Sequence, residues 1–201
     1  MLSVVRKQNG GVIVSSFQIV EARTPEHFAA LSRIHALAWH SAYAGVIPQS
    51  YLDREITLDR WIPFFQLGAQ KGTHQGLLLL RDGAPVCSGS FGPARLEGGP
   101  AAGGCSPYLG WGEIISLYTL PGKTGKGYGS RLLEEMVRRL EQAGCPGCLL
   151  YVLRENPQAR RFYERCGFCW DGTQVEVPLP PETVCTDLRY VRHFDEGRAP
   201  A

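Results

Sequence analysis

The sequence predicts one α/β domain, a single sheet flanked by about four helices. Three observations point there. The chain has 201 residues, 44% hydrophobic and 20% charged, an ordinary globular balance at a length that suits one domain. Short strand-like apolar runs alternate with stretches whose apolar residues recur at helical spacing. A glycine-rich turn, residues 125–130, joins one such run to the most amphipathic stretch in the chain.

Residues 1–16 read as an extension or an added edge segment, 17–195 as the domain, and 196–201 as a tail. Residues 17–22 alternate well enough for a first strand. Thr24 caps a helix with Pro25 at its first position, and Phe28, Leu31, Ile34 and Ala38 form its apolar stripe. That helix is expected to reach about Tyr43, where Gly45 and Pro48 stop it. A second helical region spans Tyr51 to about Phe65. Residues 76–81 and 85–91 read as a hairpin around Asp82-Gly83. Residues 92–112, rich in Gly, Pro and Ala, read as a long loop. Residues 113–120 form the next strand.

Leu132, Leu133, Met136, Val137 and Leu140 make one face of the following helix, which Gly144 ends. Residues 148–153 read as a strand. Asn156 caps a short helix through Arg165, again with Pro at the first position. Residues 168–177 and 183–194 close the sheet, connected by 178–181.

The formal net charge is only +2, so no strong field draws the chain to nucleic acid or an anionic membrane. No apolar stretch approaches the roughly 18 residues of a membrane span. Asn9, Gly10 and Gly11 interrupt the first apolar residues, so no signal peptide is expected and the cytoplasm is the expected location. There the seven cysteines would be mostly reduced.

Gly125-Lys126-Gly127-Tyr128-Gly129-Ser130 follows a strand and opens a helix. A helix start presents unpaired N–H groups and the positive end of the dipole, and glycines let a ligand approach the backbone. The product is an anion site suited to phosphate, with Lys126 adding charge. It is not a P-loop: Leu117 stands where that motif needs glycine. Nor is it a dinucleotide fingerprint, since GxGxG is followed by Ser130 and no acidic residue ends a following strand at the required spacing.

The run Leu117-Tyr118-Thr119-Leu120-Pro121, the GKGYGSRLL segment, and Asn156-Pro-Gln-Ala-Arg-Arg-Phe-Tyr163-Glu-Arg-Cys-Gly167-Phe168 closely resemble the GCN5-related N-acetyltransferase superfamily. The resemblance covers residues 113–168 strongly and the flanking elements more loosely. It implies a mixed, splayed central sheet, with acetyl-CoA as co-substrate and no metal. The implied cofactor contacts are Leu117, Tyr118, Thr119, Thr124, Gly125, Lys126, Gly127, Tyr128, Gly129, Ser130 and Asn156. Thr124 departs from the family's usual Gln or Arg, which bears on cofactor affinity and not on its class. The resemblance further implies that the 113–120 strand is bulged and splays from residues 148–153, with the backbone of Leu117, Tyr118 and Thr119 open to the cofactor.

Acetyl transfer to an amine needs loss of the ammonium proton, donors for the developing oxyanion, and a proton for the leaving thiolate. Tyr163 matches the family's catalytic tyrosine and is the acid candidate. Glu113 matches a glutamate used as base by histone acetyltransferases of the superfamily; a solvated strand-end charge is the plainer reading. His40 and Tyr43 are lesser base candidates. Trp39, His40, Tyr43 and Tyr51 are expected to line the acceptor site, with the 92–112 loop and the 178–181 connection. The expected acceptor is a small amine or a peptide N-terminus; nucleic acid and membrane are not expected partners, and a homodimer is left open.

Two readings compete. A catalytically degenerate acyl-CoA-binding regulator would share the fold. Cys145-x2-Cys148-x17-Cys166-x2-Cys169 has structural-zinc spacing and would suit a zinc-stapled nucleic-acid binder, although strand and helix fully account for the intervening residues.

Overall fold

A computed structural model describes residues 2–8, 11–95, 107–179 and 183–194. The elements run in the order β1 (Leu2–Gln8), β2 (Gly11–Glu21), α1 (Pro25–Ala42), α2 (Gln49–Glu55), α3 (Ile62–Lys71), β3 (Gln75–Arg81), β4 (Ala84–Pro93), β5 (Gly112–Thr119), α4 (Tyr128–Gln142), β6 (Gly147–Leu153), α5 (Pro157–Arg165), β7 (Cys169–Leu179) and β8 (Thr183–His193). They build one eight-stranded sheet in the order β1-β2-β3-β4-β5-β6-β8-β7. Every neighbouring pair is antiparallel except β5 and β6, which α4 connects in parallel. The mixed α/β class is therefore as the sequence predicts.

Strand alternation sorts the core onto two faces. Leu77 and Leu79 point toward α4, where Leu132, Leu133 and Met136 are fully buried. Leu78 points the other way, against Leu31, Ile34 and Phe65 of α1 and α3. Each such side chain contributes about 1.5–3 kcal/mol through burial. α4 lies so close on β4 that a Cβ at Gly89 would stand 2.8 Å from the Met136 sulfur and 3.2 Å from the Ser116 carbonyl.

Three boundaries differ from expectation. The second helical region is two helices, so there are five and not about four among the described residues. Pro63 sits in the first turn of α3, where its missing N–H costs nothing. Before it, the Trp61 N–H bonds the Ser32 hydroxyl of α1 at 3.0 Å, which fixes the break. At the amino end, β2 extends back to Gly11 and β1 pairs with it from Leu2↔Phe17 to Gln8↔Gly11 as an edge strand. Finally, β7 runs through Pro178 and Leu179, paired with Val184 and Thr183. Residues 180–182 of the predicted connection, 96–106 of the predicted long loop and 195–201 lie outside the described residues.

Candidate active site

The site is built where β5 and β6 separate. They pair only at Gly112↔Cys148 and Glu113↔Leu149, and diverge beyond. On its other side β5 carries an extra residue: Ser90 pairs with Ser116 and Phe91 with Ile114, leaving Ile115 as the bulge. The bulge and the splay match the sequence expectation. They leave the β6-facing backbone of β5 without a strand partner past Glu113.

A groove of about 620 Å³ occupies that opening. Leu117, Tyr118, Thr119, Thr124, Gly125, Gly127, Tyr128, Gly129, Ser130 and Asn156 all line it, and so does Tyr163. Lys126 is exposed and does not line it. Gly125 and Gly127 adopt φ of 74° and 78°, a left-handed backbone that only glycine takes easily. Gly127 is the N-cap of α4, and no side chain caps that helix. By contrast Thr24 accepts from the His27 N–H at the start of α1, and Asn156 Oδ1 accepts from the Ala159 N–H at the start of α5. The open end of α4 therefore presents its first-turn N–H groups to the groove, as an anion requires. The Tyr128 hydroxyl is engaged elsewhere, accepting from Arg81 Nη1 at 2.6 Å, so Tyr128 meets the groove through its ring and backbone.

A second cavity of about 330 Å³ adjoins the groove; Tyr43, Ile115, Ser116, Tyr118 and Tyr151 line both. One wall is aromatic. His35 and Trp39 share one face of α1, and Tyr43, its C-cap, continues that row four residues on. The His35 ring stacks on Trp61 with centroids 3.9 Å apart, and Trp39 meets Tyr43 edge-on at 4.9 Å. Trp39 Nε1 donates to the Tyr118 hydroxyl at 2.9 Å. Burial pushes the His35 imidazole down to about 3, so the ring is neutral, and its Nδ1 has no hydrogen-bond partner among the described residues.

Tyr163 is buried beside Phe162 and Phe168. Burial, then the neighbouring Tyr43 and the Cys87 and Cys166 thiols, push its phenol well above the usual range, so it carries its proton at neutral pH. Burial likewise raises Tyr43 and Tyr118. Glu113 lines the second cavity but is only 1% exposed. Its oxygens accept from the Arg95 backbone N–H at 2.9 Å and from the Arg95 guanidinium at 3.0–3.1 Å. His40 and Tyr51 line neither cavity. The His40 ring sits 3.0 Å from the Ile56 carbonyl, and Tyr51 is packed in the core with Leu52 and Ile56.

Sequence reasoning missed His35, Trp61, Tyr151 and Asp187, which also line the second cavity, and reached Arg95 only as part of the 92–112 loop. For His35 a signal was present, its spacing from Trp39 and Tyr43. The others come from segments whose approach depends on the tertiary fold. Among the described residues no three His, Cys, Asp or Glu side chains gather as a metal-ligand group. Cys148 is buried with its thiol pushed up to about 12 by desolvation, whereas Cys169 is exposed on β7. No helix among the described residues is long and apolar enough to cross a membrane.

Comparison with known proteins follows the same geometry. The PaiA N-acetyltransferase of Thermoplasma acidophilum, solved with coenzyme A, is similar with a TM-score of 0.66 and 19% identity, over 89% of this chain and 99% of that one. YncA of Salmonella typhimurium, solved with its cofactor acetyl-CoA, gives 0.64 and 20%, over 92% and 98%. A mycothiol acetyltransferase of Streptomyces avermitilis is 39% identical over 66 residues, which is 33% of this chain and 21% of that protein. The chain thus spans about a fifth of the curated relatives it matches. The model of the acetyltransferase (GNAT) family matches residues 31–168, most of the chain and both walls of the groove, and the chain belongs to that family.

Proposed function

We propose that the chain is an acetyl-CoA-dependent N-acetyltransferase that moves the acetyl group directly to an amine while both substrates are bound. The observation that carries this reading is the junction of two cavities. A groove that ends at an uncapped helix start opens onto a smaller aromatic pocket, and Tyr43, Tyr118 and Tyr151 stand at the boundary. The residues fit the co-substrate. Gly125, Gly127 and the first turn of α4 suit a pyrophosphate, and the unpaired edge of β5 suits an extended chain of amides.

When bound, acetyl-CoA supplies an activated acyl thioester. Tyr163, buried, protonated and lining the groove, serves as the proton donor to the departing sulfur. Glu113, the base candidate from sequence, has its carboxylate saturated by Arg95. We assign it the work of anchoring Arg95 and the end of β4 at the pocket. Direct transfer needs no acyl-enzyme, and Cys185, the cysteine that lines the smaller cavity, does not suit one, because burial raises its thiol.

The test is calorimetry with acetyl-CoA followed by thiol release in the presence of an amine panel. Saturable binding at micromolar concentration and amine-dependent thiol release are expected. No binding at millimolar acetyl-CoA would sink the reading.

A further inference from the structure

We propose that Asp187 is the residue that holds and deprotonates the acceptor's ammonium, and that the acceptor is a compact primary amine with a flat apolar body. The inference rests on the N-acetyltransferase reading above and adds to it a base and a substrate class.

Two carboxylates line the smaller cavity, Glu113 and Asp187. They differ in what already holds them. Glu113 is neutralised by Arg95, whose backbone N–H, Nε and Nη2 all donate to it. Asp187 lies on β8, paired with Leu153 on one side and Val175 on the other, and no cation is paired with it among the described residues. The nearest arginine along its own strand face, Arg189, is committed to Asp171 at 2.7 Å. An unmatched carboxylate in a half-enclosed pocket lacks the counter-ion that such groups ordinarily have. A substrate cation supplies one.

The rest of the wall says what the cation is attached to. One side is aromatic, with Trp61 stacked on the neutral His35 and Trp39 tilted against both, and Val177 and Leu179 are aliphatic. The volume of about 330 Å³ is at the small end of ligand pockets, so the part of the acceptor that enters it is compact. His35 is a second sign of a ligand, since it is 7% exposed in this wall with Nδ1 unmatched. Asp187 and Tyr43 line the same cavity, and Tyr43 also borders the groove. An amine held at Asp187 is therefore close to the groove.

The proton count closes. The R–NH3+ group gives one proton to the Asp187 carboxylate, which later releases it to water. The nitrogen lone pair forms the C–N bond as the C–S bond breaks. The sulfur takes the Tyr163 phenolic proton, and the second proton from nitrogen restores the phenol. Amide, free thiol and one released proton result.

The groups facing Asp187 are Glu155, Tyr43 and Cys185, with Arg95, Glu113, His35, Tyr118 and Tyr151 around the same cavity. Burial, then Glu155, holds the Asp187 carboxyl above the usual carboxylate range. The rate with an amine is thus expected to fall on acidification as Asp187 protonates, and Asp187→Asn removes that limb.

The experiment uses 2-phenylethylamine and its uncharged counterpart 2-phenylethanol, titrated by tryptophan fluorescence into the coenzyme A complex of wild type, Asp187→Asn and Asp187→Glu. Loss of a charged hydrogen bond predicts a Kd for the amine raised about 10–100-fold in Asp187→Asn, with the alcohol unchanged and partial recovery in Asp187→Glu. Acetylation of the amine is expected to fall at least as far. Equal amine affinity in wild type and Asp187→Asn overturns the proposal, as does transfer by wild type to peptides but not to 2-phenylethylamine. Absence of acetyl-CoA binding in wild type is a different failure, because it removes the acetyltransferase reading itself.

Discussion

Tyr163 shows how one buried hydroxyl can be read separately from its ring. The ring packs against Phe162 at 5.1 Å and Phe168 at 5.9 Å, so Tyr163→Phe keeps the shape of α5. Only the proton goes. Turnover is expected to fall by roughly 100-fold or more, the usual span of a positioned acid, while calorimetric affinity for acetyl-CoA stays within about threefold. Unchanged turnover would take Tyr163 out of the acid role. Tyr163 was legible because a short sequence block carries it together with Asn156. Arg95 was not, because it acquires meaning only from Glu113 on β5, and Asp187 was not, because only the assembled sheet brings it into the pocket wall. Glu113 was legible as a position but not as a state: nothing local foretells that Arg95 closes on it.

At the scale of elements, most boundaries followed from local chemistry. Thr24 and Asn156 cap the helices that their sequences announce, and the Asp82-Gly83 turn joins β3 to β4. The break between α2 and α3 did not, because the Ser32–Trp61 hydrogen bond that stabilises it joins distant segments. The start of α4 is the element on which binding depends. A Cβ at Gly127 would meet no atom within 4 Å, so glycine is needed there for its left-handed φ and not for space in the protein. Gly127→Glu adds backbone strain of about 1–2 kcal/mol, which leaves the fold standing. It also projects a carboxylate at the helix's positive end, where it competes with phosphate. Acetyl-CoA affinity is expected to drop at least 100-fold by calorimetry, with the far-ultraviolet circular dichroism of wild type retained. Wild-type affinity in this variant would mean that the pyrophosphate sits elsewhere.

Across the whole molecule, electrostatics argue for a small acceptor. The net charge is +2 over 201 residues, and the adjacent Arg138 and Arg139 of α4 are both ion-paired. Arg138 pairs with Glu135 at 2.8 Å, and Arg139 pairs with Glu135 at 2.8 Å and with Glu21 of β2 at 3.3 Å. A helix face of alternating sign releases few counterions from a polyanion, so α4 is no source of the steep salt dependence of nucleic-acid binding. Transfer RNA or duplex DNA at micromolar concentration is expected to leave the rate of amine acetylation unchanged between 50 and 200 mM salt (conditions on the order of those that distinguish phosphate contacts). Acetyl-CoA, by contrast, is expected to raise the melting temperature in proportion to the logarithm of its concentration above Kd. Tight binding of either polynucleotide that weakens steeply with salt would contradict the small-acceptor reading, because it would demand a basic track that the ion pairs of α4 do not leave free.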